Sequence, residues 1–195
     1  WDFGMKKNDK KQDIIHSAMK IFQETGFEKT SVSQIVKEAG VAQGTFYLYF
    51  QSKNDLIPSI AEFIVNELLT KLSQYPENTF KDVPSFIDCL IETTFYITKE
   101  YKNLIGFCYS GLSFYKSFEE WEKMYEPYYR YINDKINYFQ ENDLITSRLS
   151  SDVLGNYIVG LLEHGAEMYY LFRNEKDDLN KSKKDLSVAL HQLLL

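Results

Sequence analysis

An all-α fold is predicted by three observations: glycine and proline are scarce, at 9 and 4 of 195 residues, long stretches are rich in Leu, Ile, Lys, Glu and Gln, and apolar residues recur at i, i+3, i+4 spacing in segment after segment. With 44% hydrophobic and 26% charged residues, the chain can bury a core and still carry a wet surface. No apolar run reaches the roughly 20 residues that cross a bilayer, and the N-terminal stretch is charged, so a cytoplasmic protein without a membrane segment is expected. Trp1 to Gly4 precede Met5, which reads as the natural start, with Lys6, Lys7, Lys10 and Lys11 following.

The first helix is carried by Ile14, Ile15, Ala18, Met19 and Phe22, and Gly26 supplies a left-handed stop. Ser31 with Gln34 three residues on is a capping box; Val32, Ile35, Val36 and Ala39 then form the stripe of a short second helix ending at Gly40. Gln43 to Phe50 is too short to hold itself as a helix, so burial of Phe46 and Phe50 must hold the third. Ser52 and Asp55 form a second box, opening a fourth helix from residue 53 through Leu56, Ile60, Phe63, Ile64, Leu68 and Leu72 to about Ser73. Tyr75 to Pro84 reads as a linker, and further helices are predicted at about 84–100, 102–115, 118–141, 151–174 and 179–194.

Charge is unevenly placed. Residues 5–55 carry eight lysines against six carboxylates, a net of +2, whereas residues 56–195 hold a net of −7 in a chain of total charge −6. A mildly basic head on an acidic body favours a head that faces nucleic acid, with phosphate contacts drawn from hydroxyls, backbone N–H groups and helix N-termini as well as lysines. Cys89 and Cys108 lie in apolar helical patterns without Cys-x-x-Cys spacing and read as buried free thiols. No cofactor and no metal centre are predicted.

Three short helices in about forty residues, bent at Gly40 between the second and third, are the geometry of a helix-turn-helix unit. Gly40 adopts positive φ cheaply, Val41 plugs the turn, and the third helix is offered to a major groove with Gln43, Gly44, Thr45, Tyr47 and Tyr49 outward. The segment resembles the TetR family of bacterial transcription regulators. The resemblance rests on Thr30, Ala39-Gly40-Val41, Gly44-Thr45-Phe46-Tyr47-Leu48-Tyr49-Phe50 and Ser52-Lys53, and covers roughly residues 10–57. It implies a homodimer that places one third helix in each of two half-sites of a double-stranded DNA operator. By position, Gln43 would read a base edge, Gly44 would let the backbone approach, and Thr45 and Tyr47 would touch base methyls or phosphates. Tyr49 and Lys53 would anchor phosphates, joined by Thr30, Ser31 and Ser33 from helix two. Ala42 departs from the pattern at a position where a capping Ser is common, and Val36 stands where Ala is frequent.

On this reading residues 5–52 form the helix-turn-helix domain, helix four from 53 links it to the body, and 53–195 form a helical ligand-binding and dimerisation domain. The body offers no comparable motif. Its 151–174 and 179–194 helices are expected to build a four-helix dimer interface through Leu154, Ile158, Leu161, Leu186, Leu190 and Leu193, the other reading being that they close the monomer core. Gly155, Gly160 and Gly165 within one helix imply close approach by a neighbour. Gly106 and Gly111 are either hinges or a helix end. Aromatics are dense from Tyr96 to Tyr138, and with the acidic balance they suit a pocket for an apolar or cationic aromatic effector and disfavour acyl-CoA. Tyr101, Phe107, Phe114, Trp121, Tyr125 and Tyr128 are its candidate walls. Glu163, His164 and Glu167 are its candidate polar groups, with His164 and Glu167 also able to form half of a metal site.

A repressor released from a palindromic operator by such a small molecule is therefore the predicted function. A helix-turn-helix interaction or architectural module is the alternative. A helical enzyme is the least supported, since His16, His164 and His191 lie far apart and no nucleophile elbow, phosphate loop or complete metal motif occurs.

Overall fold

The computed structural model describes residues 7–76, 80–111, 118–173 and 178–195, with side chains from Lys10 onward except at 111 and 118–121. The described residues are helical, with no strand among them, as the composition predicts. In chain order the helices are α1 (Lys7–Thr25), α2 (Val32–Glu38), α3 (Gln43–Tyr47), α4 (Ile57–Ser73), α5 (Val83–Gly111), α6 (Phe118–Glu141), α7 (Ser151–Glu167) and α8 (Leu179–Leu194). A 3₁₀ turn, Lys53–Leu56, precedes α4, and a π turn, Met168–Phe172, extends α7.

Local chemistry explains the head. Gly26 takes φ +82 and its N–H closes onto the Phe22 carbonyl at 3.0 Å, ending α1. Ser31 and Gln34 form the expected box: Ser31 N–H donates to Gln34 Oε1 at 2.7 Å, and Gln34 N–H to Ser31 Oγ at 3.2 Å. At the other end of α2, Gly40 takes φ +65, the Val41 N–H reaches the Val36 carbonyl at 3.0 Å and the Gly40 N–H reaches Lys37 at 3.3 Å. That pair of bonds is a Schellman stop, and it sets the bend between α2 and α3. At Ser52 the expected box is only half made. The Asp55 carboxylate accepts from Gln51 N–H and Ser52 Oγ, but Ser52 gives no side-chain cap in return, and a 3₁₀ turn begins the helix instead.

The described residues fall into two compact units, one from Trp1–Phe63 and Asn103–Phe118, the other from Ile64–Lys102 and Glu119–Leu195. The expected boundary at residue 52 follows chain order; contacts instead group the end of α5 with the head. Phe107 stacks on Phe22 and Phe27 at centroid separations of 4.9 and 4.2 Å, and Asn103 Nδ2 donates to the Gln23 carbonyl. The anticipated break near residue 101 is a kink inside α5, where Tyr101 leaves helical geometry at φ −112, ψ 19. Gly106, a candidate hinge, sits within the helix beyond that kink, and Gly111 is its last residue.

In the second unit, Phe86, Phe95, Phe139, Leu154, Ile158, Leu162 and Leu190 share one core. The π turn buries Tyr169 and Tyr170 against Phe95. Two of the three α7 glycines meet a neighbour. A methyl on Gly155 would lie 2.0 Å from Asn133 Oδ1 of α6, and one on Gly165 3.0 Å from Leu186 Cδ2 of α8, while Gly160 faces open space. Cys89 and Cys108 are buried and free, and burial pushes the Cys108 thiol up to about 12.

Candidate functional site

In the head, α3 and the turn after it divide into an inner and an outer side. Phe46 and Phe50 are buried, 5.5 Å apart between ring centres, which pins the short helix to the body of the unit. Gln43, Gly44 and Tyr47 are exposed, Tyr47 by 52%, and Thr45 and Tyr49 are half-buried beside them. Nothing lies within 4 Å of a methyl built on Gly44, so a duplex can meet its backbone. Ala42 gives α3 no side-chain cap, as its replacement of serine implies. Sequence reasoning missed Leu48. It is 75% exposed at the end of α3, an apolar side chain fit to lie against sugars or thymine methyls. The signal was present as the unassigned position between the two tyrosines of the motif.

Two expected phosphate ligands, Thr30 and Lys53, are corrected. Thr30 is buried, and its hydroxyl donates to the Gly26 carbonyl at 2.8 Å, so it braces the loop between α1 and α2. The Ser31 hydroxyl is exposed but engaged within its capping box. Lys53 turns inward: its ammonium donates to the carbonyls of Phe27, at 3.1 Å, and Thr30, and lies 4.2 Å from the Phe27 ring centre. Burial pulls its pKa below the ordinary lysine value. Ser33 remains exposed on α2.

In the body, four of the candidate effector residues converge. Tyr125 and Tyr128 on α6 lie near Glu163 on α7, with Glu167 one turn further along that helix: the Tyr125 hydroxyl donates to Glu163, and burial, then the Glu163 carboxylate, raises the Tyr128 hydroxyl. Burial, then the Glu167 charge one turn away, pushes the Glu163 carboxyl up to about 8, against a smaller opposing pull from Tyr125. Burial and Glu163 also raise Tyr129, whose ring lies 5.9 Å from that of Tyr125.

The other candidates lie elsewhere. Tyr101 is half-buried at the kink and donates to Glu67 at 3.0 Å; burial and that carboxylate push its hydroxyl up to about 12. Phe107 belongs to the head's core and to a groove of about 300 Å³ beside Phe27 and Ser110, because the α5 segment that carries it groups with α1. His164 points out from α7, its 100° step from Glu163 carrying it off the inner face, and no group of metal-ligating side chains occurs among the described residues. Phe114 and the Trp121 side chain lie outside the described residues.

The interface leucines shift in the same way. Leu154, Ile158, Leu186 and Leu190 are buried in the chain's own core, which leaves them no open face, and Leu193 is partly buried against it. Leu161 is 38% exposed and shares its side of α7 with Val153 and Tyr157, while Val188 is exposed on α8. The apolar stripe left open is thus offset by one residue from the predicted one.

The sequence matches the model of bacterial regulatory proteins of the tetR family over residues 14–60, and that of the tetracyclin repressor-like C-terminal domain over residues 87–194. It is 38% identical over 185 residues to the uncharacterized HTH-type transcriptional regulator YvdT of Bacillus subtilis, covering 95% of each chain. Among solved structures, it superposes on the transcriptional regulator FadR from Bacillus subtilis in complex with stearoyl-CoA with a TM-score of 0.72 and 20% identity, covering 95% of this chain and 100% of that one. RolR complexed with resorcinol gives a TM-score of 0.73 and 17% identity, covering 96% and 88%; likenesses this distant speak for the fold. A helix-turn-helix head with an outward α3, a helical body and both family matches lead to one conclusion: the chain belongs to the TetR family, the DNA-binding transcription regulators of bacteria.

Proposed function

We propose that the protein is a cytoplasmic, homodimeric repressor that holds a palindromic operator through α3 and is released when a small molecule binds its second unit. The observation that carries the DNA half is the outward set Gln43, Gly44 and Tyr47 backed by the buried Phe46 and Phe50. The Gln43 amide suits bidentate pairing with adenine, Gly44 allows close approach, and Tyr47, Thr45 and Leu48 add contacts to methyls and the backbone. Pairing of subunits runs through the exposed Val153, Tyr157 and Leu161 side of α7 with Val188 of α8.

The effector half rests on the convergence of Tyr125, Tyr128, Glu163 and Glu167. FadR from Bacillus subtilis is known in complex with stearoyl-CoA and RolR with resorcinol, so proteins of this fold accept small organic molecules. For this chain the acidic pair Glu163 and Glu167 offers no cation to a multiply charged CoA anion. The α5 helix, kinked at Tyr101, contributes Val83 to Lys102 to the second unit and its remainder to the first, and so offers a covalent route for the signal. The family consists of transcription regulators rather than enzymes, and no turnover is proposed for this member.

Fluorescence anisotropy with duplexes tiled across the DNA upstream of the protein's own gene tests the reading. One palindrome should bind several orders of magnitude above random DNA, and Tyr47→Ala should weaken it by about 1–3 kcal/mol. Uniform affinity across all duplexes would favour an architectural module.

A further inference from the structure

The head holds an open groove to which α3 contributes no residue. It encloses about 300 Å³ between the loop after α1 and the last turns of α5, and every residue that lines it belongs to the first unit. Its apolar wall is the Phe27–Phe107 pair, with ring centres 4.2 Å apart and planes tilted by 33°. The buried Phe22 ring packs on both, at 5.4 and 4.9 Å, so the wall is rigid. Phe27 itself is half-buried, which leaves part of this wall open to an occupant.

Glycine makes the room. Gly26 and Gly106 line the groove from the loop and from α5, and a methyl built on either meets nothing within 4 Å. The φ of +82 at Gly26 calls for glycine on its own account. Gly106 lies inside a helix, where alanine or leucine would hold the backbone better, so its missing side chain serves the space beside it.

The charge on the groove is one-sided. The Thr25 and Ser110 hydroxyls are spent within their own helices, donating to the Ile21 and Phe107 carbonyls at 2.9 and 2.7 Å. Glu28 acts on Lys53, whose ammonium is itself held by the loop carbonyls of Phe27 and Thr30. Lys29 is exposed at the rim and has no hydrogen-bond or ion-pair partner among the described residues. The charge left unmatched here is therefore positive.

We propose that this groove is a second small-molecule site, distinct from the tyrosines and carboxylates of α6 and α7, and that it takes an aromatic carboxylate. The rings lie against Phe27 and Phe107 in the gap left by Gly106, and the carboxylate accepts from the Lys29 ammonium. Such an occupant touches both the loop that leads into α2 and the α5 segment packed on it, and so clamps the two together. An alcohol of the same shape keeps the ring contact and loses the ion pair; an amine meets Lys29 as a like charge.

Isothermal titration of the full chain at pH 7 with 2-naphthoate, 2-naphthalenemethanol and 2-naphthylmethylammonium measures the preference. For a ligand of about 13 non-hydrogen atoms, the acid should bind at about 0.1–1 mM. An ion pair at an exposed rim is worth a modest factor, so the alcohol should bind about 2–5-fold more weakly and the amine more weakly still. Lys29→Gln should bring the acid down to the alcohol's level and leave the alcohol unchanged. Gly106→Leu, which sends a side chain into the gap, should weaken all three probes about tenfold or more. Amide hydrogen exchange with saturating 2-naphthoate should slow within residues 22–31 and 103–110. No binding of the acid, an amine or alcohol that binds as well as the acid, or unchanged acid affinity in Lys29→Gln or in folded Gly106→Leu would each overturn the site. Slowing confined to the second unit would overturn it too, by moving the ligand to the effector region proposed above. Circular dichroism checks that Gly106→Leu is folded; if it is not, Lys29→Gln and the exchange pattern decide the matter.

Discussion

Lys53→Met removes an ammonium while keeping an alkyl stem over the Phe27 ring, and it separates two roles for this residue. Wild-type Lys53 ties the turn before α4 to the α1–α2 loop through two carbonyls and one aromatic face. A hydrogen bond from a charged donor contributes about 1.5–3 kcal/mol and an ammonium–ring contact about 0.5–1 kcal/mol, before water competes at a half-buried site. Discounting for that access, the loss should be about 1–3 kcal/mol, which in a chain of this size lowers Tm by roughly 3–9 °C. Thermal unfolding followed by far-ultraviolet circular dichroism reads this directly. DNA affinity measured below the transition across a salt series reads the rival role, because a lost phosphate ligand flattens the slope of log K against log salt by about 0.9. A brace predicts the fall in Tm with the slope intact. An unchanged Tm with a flatter slope would refute the inward placement of Lys53.

Gly106→Ala, with open space around it inside α5, should stabilise by about 0.5–1 kcal/mol in urea titration, and an unchanged or lowered stability would place a neighbour against that helix face. Glu163 should make stability fall with pH. Its folded-state carboxyl, at about 8 against an ordinary 4.5, keeps a proton that the unfolded chain has lost, so this contribution is full below about pH 4.5 and gone above about 8. Glu163→Gln should therefore match the wild type near pH 5 and exceed it at pH 9 by on the order of a few kcal/mol in urea titrations. Leu161→Asp should shift the sedimentation profile from dimer to folded monomer, while Leu154→Asp should abolish folding; a stable Leu161→Asp dimer would move the interface elsewhere.

The parts of the fold legible in the sequence were those fixed by short-range chemistry. Gly26, Gly40 and the Ser31–Gln34 pair each act within a few residues, so helix ends in the head follow from spacing alone. The outward set on α3 was legible for the same reason, since a motif of alternating polar and aromatic residues leaves one inner face. Thr30 and Lys53 were misread because their roles depend on Gly26 and Phe27, which reach them only in the folded loop. In α7 the failure was one of phase. Leu154, Ile158 and Leu162 form one apolar stripe, and Val153, Tyr157 and Leu161 form another a single residue away, and periodicity has no means of saying which is covered by the chain's own helices. Glu163 and His164 were separated by the same 100° step. Phe107 was misplaced because it lies far along the sequence from the α1 aromatics it joins.

The stacking of Phe107 on Phe22 and Phe27 sets a limit on engineering by modular exchange. A reader domain excised at residue 52 would leave behind the α5 segment that shields two aromatic rings, and would expose them to water and to self-association. A chimaera that moves this operator preference onto another sensor must carry Asn103 to Gly111 with it, grafting two separate stretches of chain in register rather than one.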